Sequence, residues 1–248
     1  MKKMIIDVRM NEYAMRDENP NVPWSPAEIA EDAAECYEAG ATCVHFHGRD
    51  GVTGEPENSF ETYAETIERI REKAPDVLVH STLGYVTLTP SERRVEHILK
   101  LARNPKTRPD IAPVDMASMN VDVYAKDKKE FVTDDLVFHN PTKLLKYFTR
   151  EIQAAGVKTV HTCWNIGCTR TVDAFIEMGL IRGPAYIGLL MSESGLFAGH
   201  PGTYRGLSAH LDFLPRNGPS EWLALVYPGS VQPIASIAIA EGGHLSFG

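Results

Sequence analysis

Apolar positions along the chain alternate between two periods. Short runs rich in apolar and β-branched residues, Met4–Val8, Thr42–His47, Val77–Thr82, Val114–Met119, Val157–Cys163, Tyr186–Met191, Trp222–Tyr227 and His244–Phe247, are bounded by Gly, Pro or polar clusters. Their length and boundaries predict strands. Between them lie stretches of helical spacing: Ser25–Ala39, Ser59–Ala74, Pro90–Arg103, Pro141–Ala155, Thr169–Met178, Pro201–Leu214 and Val231–Ala240. Three helix starts share one chemistry, Ser25-Pro26-Ala27-Glu28, Thr89-Pro90-Ser91-Glu92 and Asn140-Pro141. In each, a side-chain oxygen can cap an unpaired amide, and proline stands at the first helical position, where it has no amide to lose. The first two add a glutamate that completes a capping box, and Gly40 supplies a left-handed stop for the first helix.

Strict strand–helix alternation without an internal linker predicts a single α/β domain over residues 1–248, with parallel strands inside and helices outside. The architecture that fits is a (β/α)8 TIM barrel. A doubly wound open sheet is the rival, but Met10-Asn11-Glu12-Tyr13 follows the first strand where that fold places its Gly-x-Gly-x-x-Gly turn. In a barrel, chemistry gathers at the C-terminal ends of the strands, which makes the polar residues there the ones to read.

Composition narrows the partners. At 248 residues, 43% hydrophobic and 23% charged, the chain can bury a full core. Lys+Arg 25 against Asp+Glu 33 gives a net charge of −8, spread along the chain. Nucleic acid and anionic membrane are therefore poor partners. No apolar stretch approaches the roughly 18–20 residues of a membrane span, and the start MKKMIIDV is not a signal peptide, so a cytoplasmic protein is expected. Cys36, Cys43, Cys163 and Cys168 form no C-x-x-C pair and are read as free thiols.

The most informative segment is Val44-His45-Phe46-His47-Gly48-Arg49-Asp50. Side chains alternate along a strand, so His45 and His47 share a face and both imidazoles can reach one ion. A zinc site needs a third protein ligand, which the pair alone does not supply. Other strand ends carry small polar groups suited to an oxygen-rich small molecule: Asn11 and Glu12 after the first, Thr82 and Gly84 after the third, Ser118 and Asn120 after the fourth. The fifth offers His161, Thr162, Trp164 and Asn165 but no carboxylate.

Asn19-Pro20-Asn21-Val22-Pro23-Trp24-Ser25-Pro26-Ala27-Glu28 and Glu38-Ala39-Gly40-Ala41, leading into His45-Phe46-His47 and Arg49-Asp50, resemble the zinc-dependent β-keto acid cleavage enzymes, as do Ala117-Ser118-Met119-Asn120, Glu177-Met178-Gly179-Leu180-Ile181 and the final Gly242-Gly243-His244-Leu245. The resemblance covers nearly the whole chain in order, and that family is a (β/α)8 barrel. It implies retro-Claisen cleavage of a small β-keto acid with acetyl-CoA, giving acetoacetate and a new acyl-CoA. It also implies Zn2+ on His45 and His47, catalytic contributions from Thr82, Ser118 and Asn120, and a homo-oligomer as the working form. Expected substrate contacts are Asn11, Glu12, Tyr13, Gly84, Thr162, Trp164 and Ser246.

Several positions depart from the family's pattern. Ser246 stands where the family commonly has arginine, Tyr13 where amino-substrate members have a glutamate, and Val160 and Thr162 where they have paired glutamates. Glu12, one place from Tyr13, is expected to face away from the site. The family's third zinc ligand, a glutamate, falls two positions beyond Gly248, so the chain is expected to be a fragment that lacks the final barrel helix. Two other readings stand beside the leading one: a metal-dependent hydrolase or aldolase that does not use CoA, and a non-catalytic paralogue.

Overall fold

The computed structural model describes residues 3–83 and 93–248. Eight parallel strands close into a barrel in the order β1-β12-β11-β10-β9-β4-β3-β2, with β1 Ile6–Arg9, β2 Cys43–Phe46, β3 Leu78–Ser81, β4 Ile111–Asp115, β9 Lys158–Cys163, β10 Ala185–Met191, β11 Ser220–Val226 and β12 His244–Phe247. The helices are α1 Pro26–Glu38, α2 Phe60–Lys73, α3 Glu96–Leu101, α4 Thr142–Ala154, α5 Ile166–Glu177, α6 Tyr204–Asp212 and α7 Gln232–Ala240. None of the described helices is long and apolar enough to cross a membrane. The chain forms two compact units, one built mainly from Ile5–Pro113 with Glu151–Thr159, the other from Val114–Arg150 with Val160–Phe247.

In the first unit, α1 begins as its sequence dictates. Ser25 Oγ accepts from the Glu28 amide at 3.3 Å, and Glu28 Oε2 accepts from the Ser25 amide at 2.9 Å. Gly40 ends the helix with a φ of 108°, a conformation open to a residue without Cβ. Ile29, Ala30 and Ala33 of α1 and Tyr63, Ile67 and Ile70 of α2 pack on Val44, Phe46 and Val79. Period-two alternation then turns Cys43 and His45 of β2 to the opposite face of the sheet. The capping box at Thr89–Glu92 and the start of the helix placed at Pro90 lie outside the described residues. Within them, α3 covers only Glu96–Leu101 of that prediction.

Strand four differs from its expected position, running from Ile111 to Asp115 instead of Val114 to Met119. Pro113 reads as a strand breaker, yet the pairing is set just before it. Asp110 accepts the Val79 amide through Oδ2 at 2.8 Å and the Lys158 amide through its carbonyl at 2.9 Å.

In the second unit, the expected end of strand four becomes an excursion of two short antiparallel ladders. β5 Met119–Asn120 pairs with β8 Val137–Phe138, and β6 Tyr124–Ala125 with β7 Glu130–Phe131. Helix α4 starts one residue past the expected Pro141, whose carbonyl accepts the Leu144 and Leu145 amides. Helix α5 starts three residues earlier than expected, because Asn165 Oδ1 caps the Gly167 and Cys168 amides at 3.0 and 3.3 Å.

Truncating Ile70, wholly buried between α2 and its sheet, is predicted to cost about 2–5 kcal/mol. Urea unfolding of Ile70→Ala checks this, and a loss well below that range would contradict the packing described. Burial lowers His97 from 6.5 to about 4, and burial together with the neighbouring His200 lowers His210 from 6.5 to about 3. Both native imidazoles stay neutral while the unfolded ones take up protons below pH 6.5. Stability is therefore complete above that pH and is lost as pH falls through the window down to about 4 and 3. Denaturation midpoints of His97→Gln and His210→Gln over that range should decline less steeply than those of the native chain; parallel slopes would contradict the assignment.

Candidate metal centre

His45 and His47 come from the end of β2, as their spacing requires. Each is nearly fully buried, with ring centroids 5.1 Å apart. His45 Nδ1 lies 3.0 Å from the His80 carbonyl. A carbonyl only accepts, so Nδ1 carries the proton and Nε2 presents its lone pair to the site. Asn11 fixes His47 from the other side: its Oδ1 accepts the His47 amide at 2.9 Å, and its Nδ2 donates to the His47 carbonyl at 3.0 Å and the Pro23 carbonyl at 3.1 Å. Asn11 is thus a positioning residue.

The third group is Glu12, and its place corrects the expectation that it faces away. Its Oε1 lies 3.4 Å from His45 Nε2 and its Oε2 3.3 Å from His47 Nε2. The reason is backbone conformation. Glu12 has a φ of 37°, in the left-handed region, so strand alternation stops before it and its side chain swings to the histidines. Arg49, which sequence reasoning passed over as a site residue, holds that turn. Its guanidinium, 1% exposed, donates to the carbonyls of Asn11, Glu12 and Gly54. Gly54 in turn leaves room for the Trp24 indole, which a Cβ there would meet at 2.4 Å.

Electrostatics suit a cation. Burial alone would raise the Glu12 carboxyl, but the guanidinium of Arg9, in ion-pair contact with it, and the two imidazoles hold it well below the usual carboxylate range. Burial, then the neighbouring His80 and Arg9, pushes His45 well down, so its imidazole is neutral. One carboxylate oxygen and two imidazole nitrogens therefore face one another, all within 4.8 Å. Two ligands about 2.0–2.1 Å from a tetrahedral ion stand about 3.3 Å apart. The two carboxylate–imidazole spacings match that value, so this donor set fits zinc.

A second cluster, Asp7, Cys43 and His80, lies behind the first, with the His80 ring 4.3 Å from that of His45. It is sealed, with all three residues at most 2% exposed, and Asp7 Oδ2 is already engaged by His80 Nδ1 at 3.2 Å. Burial, reinforced by Asp7, pushes the Cys43 thiol well up, so it stays protonated. The Glu12 side chain is 15% exposed. Only the first cluster can meet an exchangeable ligand.

The other expected residues are distributed as follows. Tyr13 is exposed and stands edge-on to His47, with centroids 5.3 Å apart. Thr82 is buried, with its carbonyl 2.9 Å from His97 Nε2. Gly84 lies outside the described residues. In the second unit, Ser118 and Asn120 do not end strand four. Ser118 Oγ accepts the Asn140 amide at 2.7 Å, and Asn120 belongs to the β5–β8 ladder. The polar residue that does end β4 is Asp115, whose Oδ1 accepts from Trp164 Nε1 at 2.9 Å. The expected strand Val114–Met119 placed it in the interior of the strand and so hid it. Thr162 and Ser246 are buried on β9 and β12, and His244 Nε2 lies 3.2 Å from Glu221 Oε2.

A family model described as beta-keto acid cleavage enzyme matches residues 3–248. The 3-keto-5-aminohexanoate cleavage enzyme of Fusobacterium nucleatum is 28% identical over 254 residues, covering 100% of this chain and 82% of the relative. The 3-dehydrocarnitine:acetyl-CoA trimethylamine transferase of Rhizobium meliloti is 27% identical, covering 92% and 75%. Among solved structures, apo ObcA superposes with a TM-score of 0.70 at 14% identity, a likeness of fold. The match covers 92% of this chain and 55% of the ObcA chain.

Metal analysis of purified protein is predicted to find one zinc per chain, lost in Glu12→Ala and in the double variant His45→Ala/His47→Ala. Arg49→Met, which leaves all three ligands in place but frees the turn that aims one of them, should weaken metal binding by about 10–100-fold. Full metal retention in the histidine double variant would contradict the assignment.

Proposed function

Because this chain belongs to the beta-keto acid cleavage enzyme family, we propose that it is a zinc-dependent enzyme that cleaves a carbon–carbon bond of a small β-keto acid with acetyl-CoA, yielding acetoacetate and an acyl-CoA. The observation that carries this reading is the convergence of Glu12, His45 and His47 at the strand ends, with the carboxylate kept ionised beside two imidazoles. When bound there, zinc supplies Lewis-acid chemistry, lowering the energy of negative charge that develops on a keto oxygen. The acetyl-CoA requirement draws support from the Rhizobium relative, which is named an acetyl-CoA transferase. A cytoplasmic, homo-oligomeric enzyme is part of the same proposal.

The chain's own residues do the holding and orienting. His45 keeps its Nδ1 proton on the His80 carbonyl, so its Nε2 points permanently into the site. Asn11 locks the His47 backbone, and Arg49 fixes the turn of Glu12, so the three donors are set before any ligand arrives. Arg9 neutralises Glu12 and leaves the pocket tolerant of an anionic acid. Tyr13, exposed at the edge of His47, is placed to meet the tail of a substrate. Thr82, Ser118 and Asn120 are kept as candidate polar contacts for the reacting acid.

The tail should be uncharged. A substrate ammonium needs a facing carboxylate to offset its desolvation. Glu12 is already engaged by Arg9 and the imidazoles, while Tyr13 and Thr162 are neutral. Acetoacetate release from labelled acetyl-CoA, followed over a panel of β-keto acids, tests this. Neutral-tailed acids are predicted to turn over faster than 3-keto-5-aminohexanoate. The reverse order would overturn the substrate class, and cleavage that proceeds without acetyl-CoA would overturn the reaction type in favour of a hydrolase or aldolase.

A further inference from the structure

One residue outside the donor set, Tyr63 of α2, closes on the backbone beside His47. The ladder of β2 ends at Phe46, so His47 and Gly48 lie past the reach of the sheet. Their backbone groups are engaged all the same. Asn11 takes the His47 amide and carbonyl through its side chain. The Gly48 amide donates to the Tyr63 hydroxyl at 3.0 Å, and the Gly48 carbonyl accepts from the Glu57 amide at 3.0 Å. The His47 carbonyl and the Gly48 amide belong to one peptide plane, which Asn11 and Tyr63 therefore hold from its two ends. A Cβ at Gly48 would stand 2.7 Å from both the Tyr63 ring and the Glu57 carbonyl, so the fit is closed.

Tyr63 is itself held. It is wholly buried, with ring centroids 5.4 Å from Phe46 and 4.8 Å from His97 of α3. His97 Nε2 lies 2.9 Å from the Thr82 carbonyl, which only accepts, so Nε2 carries the proton and that ring is fixed in turn. Close packing leaves the phenol little freedom, and its hydroxyl stays on the Gly48 amide. The consequence reaches the site through one peptide. A buried amide that loses its acceptor is costly and must find another partner, and the peptide that turns to do so is the one that carries His47. An imidazole ligand tolerates little such movement.

We propose that Tyr63 is a positioning residue of the metal centre, clamping the His47–Gly48 peptide from α2 as Asn11 does from the end of β1, and so directing the His47 imidazole. The inference rests on the placement of the ion at Glu12, His45 and His47. Zinc affinity of the full chain, measured by competition with a chromophoric chelator, tests it. Tyr63→Phe keeps the ring and removes only the acceptor, and its zinc dissociation constant should rise about 10–100-fold. Gly48→Ala keeps the hydroxyl but forces the peptide off it, and should weaken zinc binding in the same direction. Ile70→Ala, about two turns further along α2, loses buried packing elsewhere on the same helix and should bind zinc as the native protein does. Equal affinity in the native protein and Tyr63→Phe would overturn the proposal. So would a loss in Ile70→Ala as large as that in Tyr63→Phe, which would tie the effect to stability alone. A native protein that binds no zinc, or a His45→Ala/His47→Ala variant that keeps it, would instead overturn the placement of the ion, and the proposal with it.

Discussion

The site rests on a buried guanidinium that makes no ion pair with a carboxylate among the described residues. The two terminal nitrogens of Arg49 donate to the backbone carbonyls of Asn11, Glu12 and Gly54. A cation removed from water needs such acceptors, and hydrogen bonds that involve a charged group are about twice as strong as neutral ones. That strength holds Glu12 at a φ of 37°, a conformation that costs on the order of 1 kcal/mol or more for a residue with a side chain. The strained turn aims a carboxylate at two histidines that lie four and two residues before Arg49. One segment of β2 and its extension thus supplies two candidate ligands and the group that positions the third.

Polarity continues inward from that point. Beneath His45 the first unit buries Asp7, Cys43 and His80 where an apolar layer would pack more simply. The Asp7–His80 pair offsets its own desolvation, and burial keeps the thiol neutral. The two clusters share a wall, the His45 and His80 rings, yet differ in access and in donor charge. Openness and an ionised carboxylate fall to the outer cluster, while the inner one serves as its floor.

Much of this was legible in the sequence. The barrel followed from strand–helix alternation, from the absence of a Gly-x-Gly-x-x-Gly turn after the first strand and from the family resemblance, and α1 from the reciprocal pair Ser25 and Glu28. The same-face placement of His45 and His47 followed from the period of a strand, which is a rule of backbone geometry and holds wherever the strand continues. Failures came where a non-local partner overrode local preference. Strand four was expected at Val114–Met119, with Asp115 in its interior, but Asp110 fixes the pairing just before Pro113, so β4 ends at Asp115. Glu12 was assigned to the wrong face because period two ends at a left-handed residue, and that conformation depends on Arg49, thirty-seven positions away. The excursion of four short strands escaped notice because two-residue ladders have no period to read.

Whether the ion sits on Glu12, His45 and His47 is decided most directly by X-ray absorption at the zinc edge of the purified protein. Ligation by these residues predicts a first shell of nitrogen and oxygen alone, at about 2.0–2.1 Å, with the outer-shell scattering of imidazole rings. A sulfur scatterer at about 2.3 Å would place the ion on Cys43 in the inner cluster and contradict the assignment.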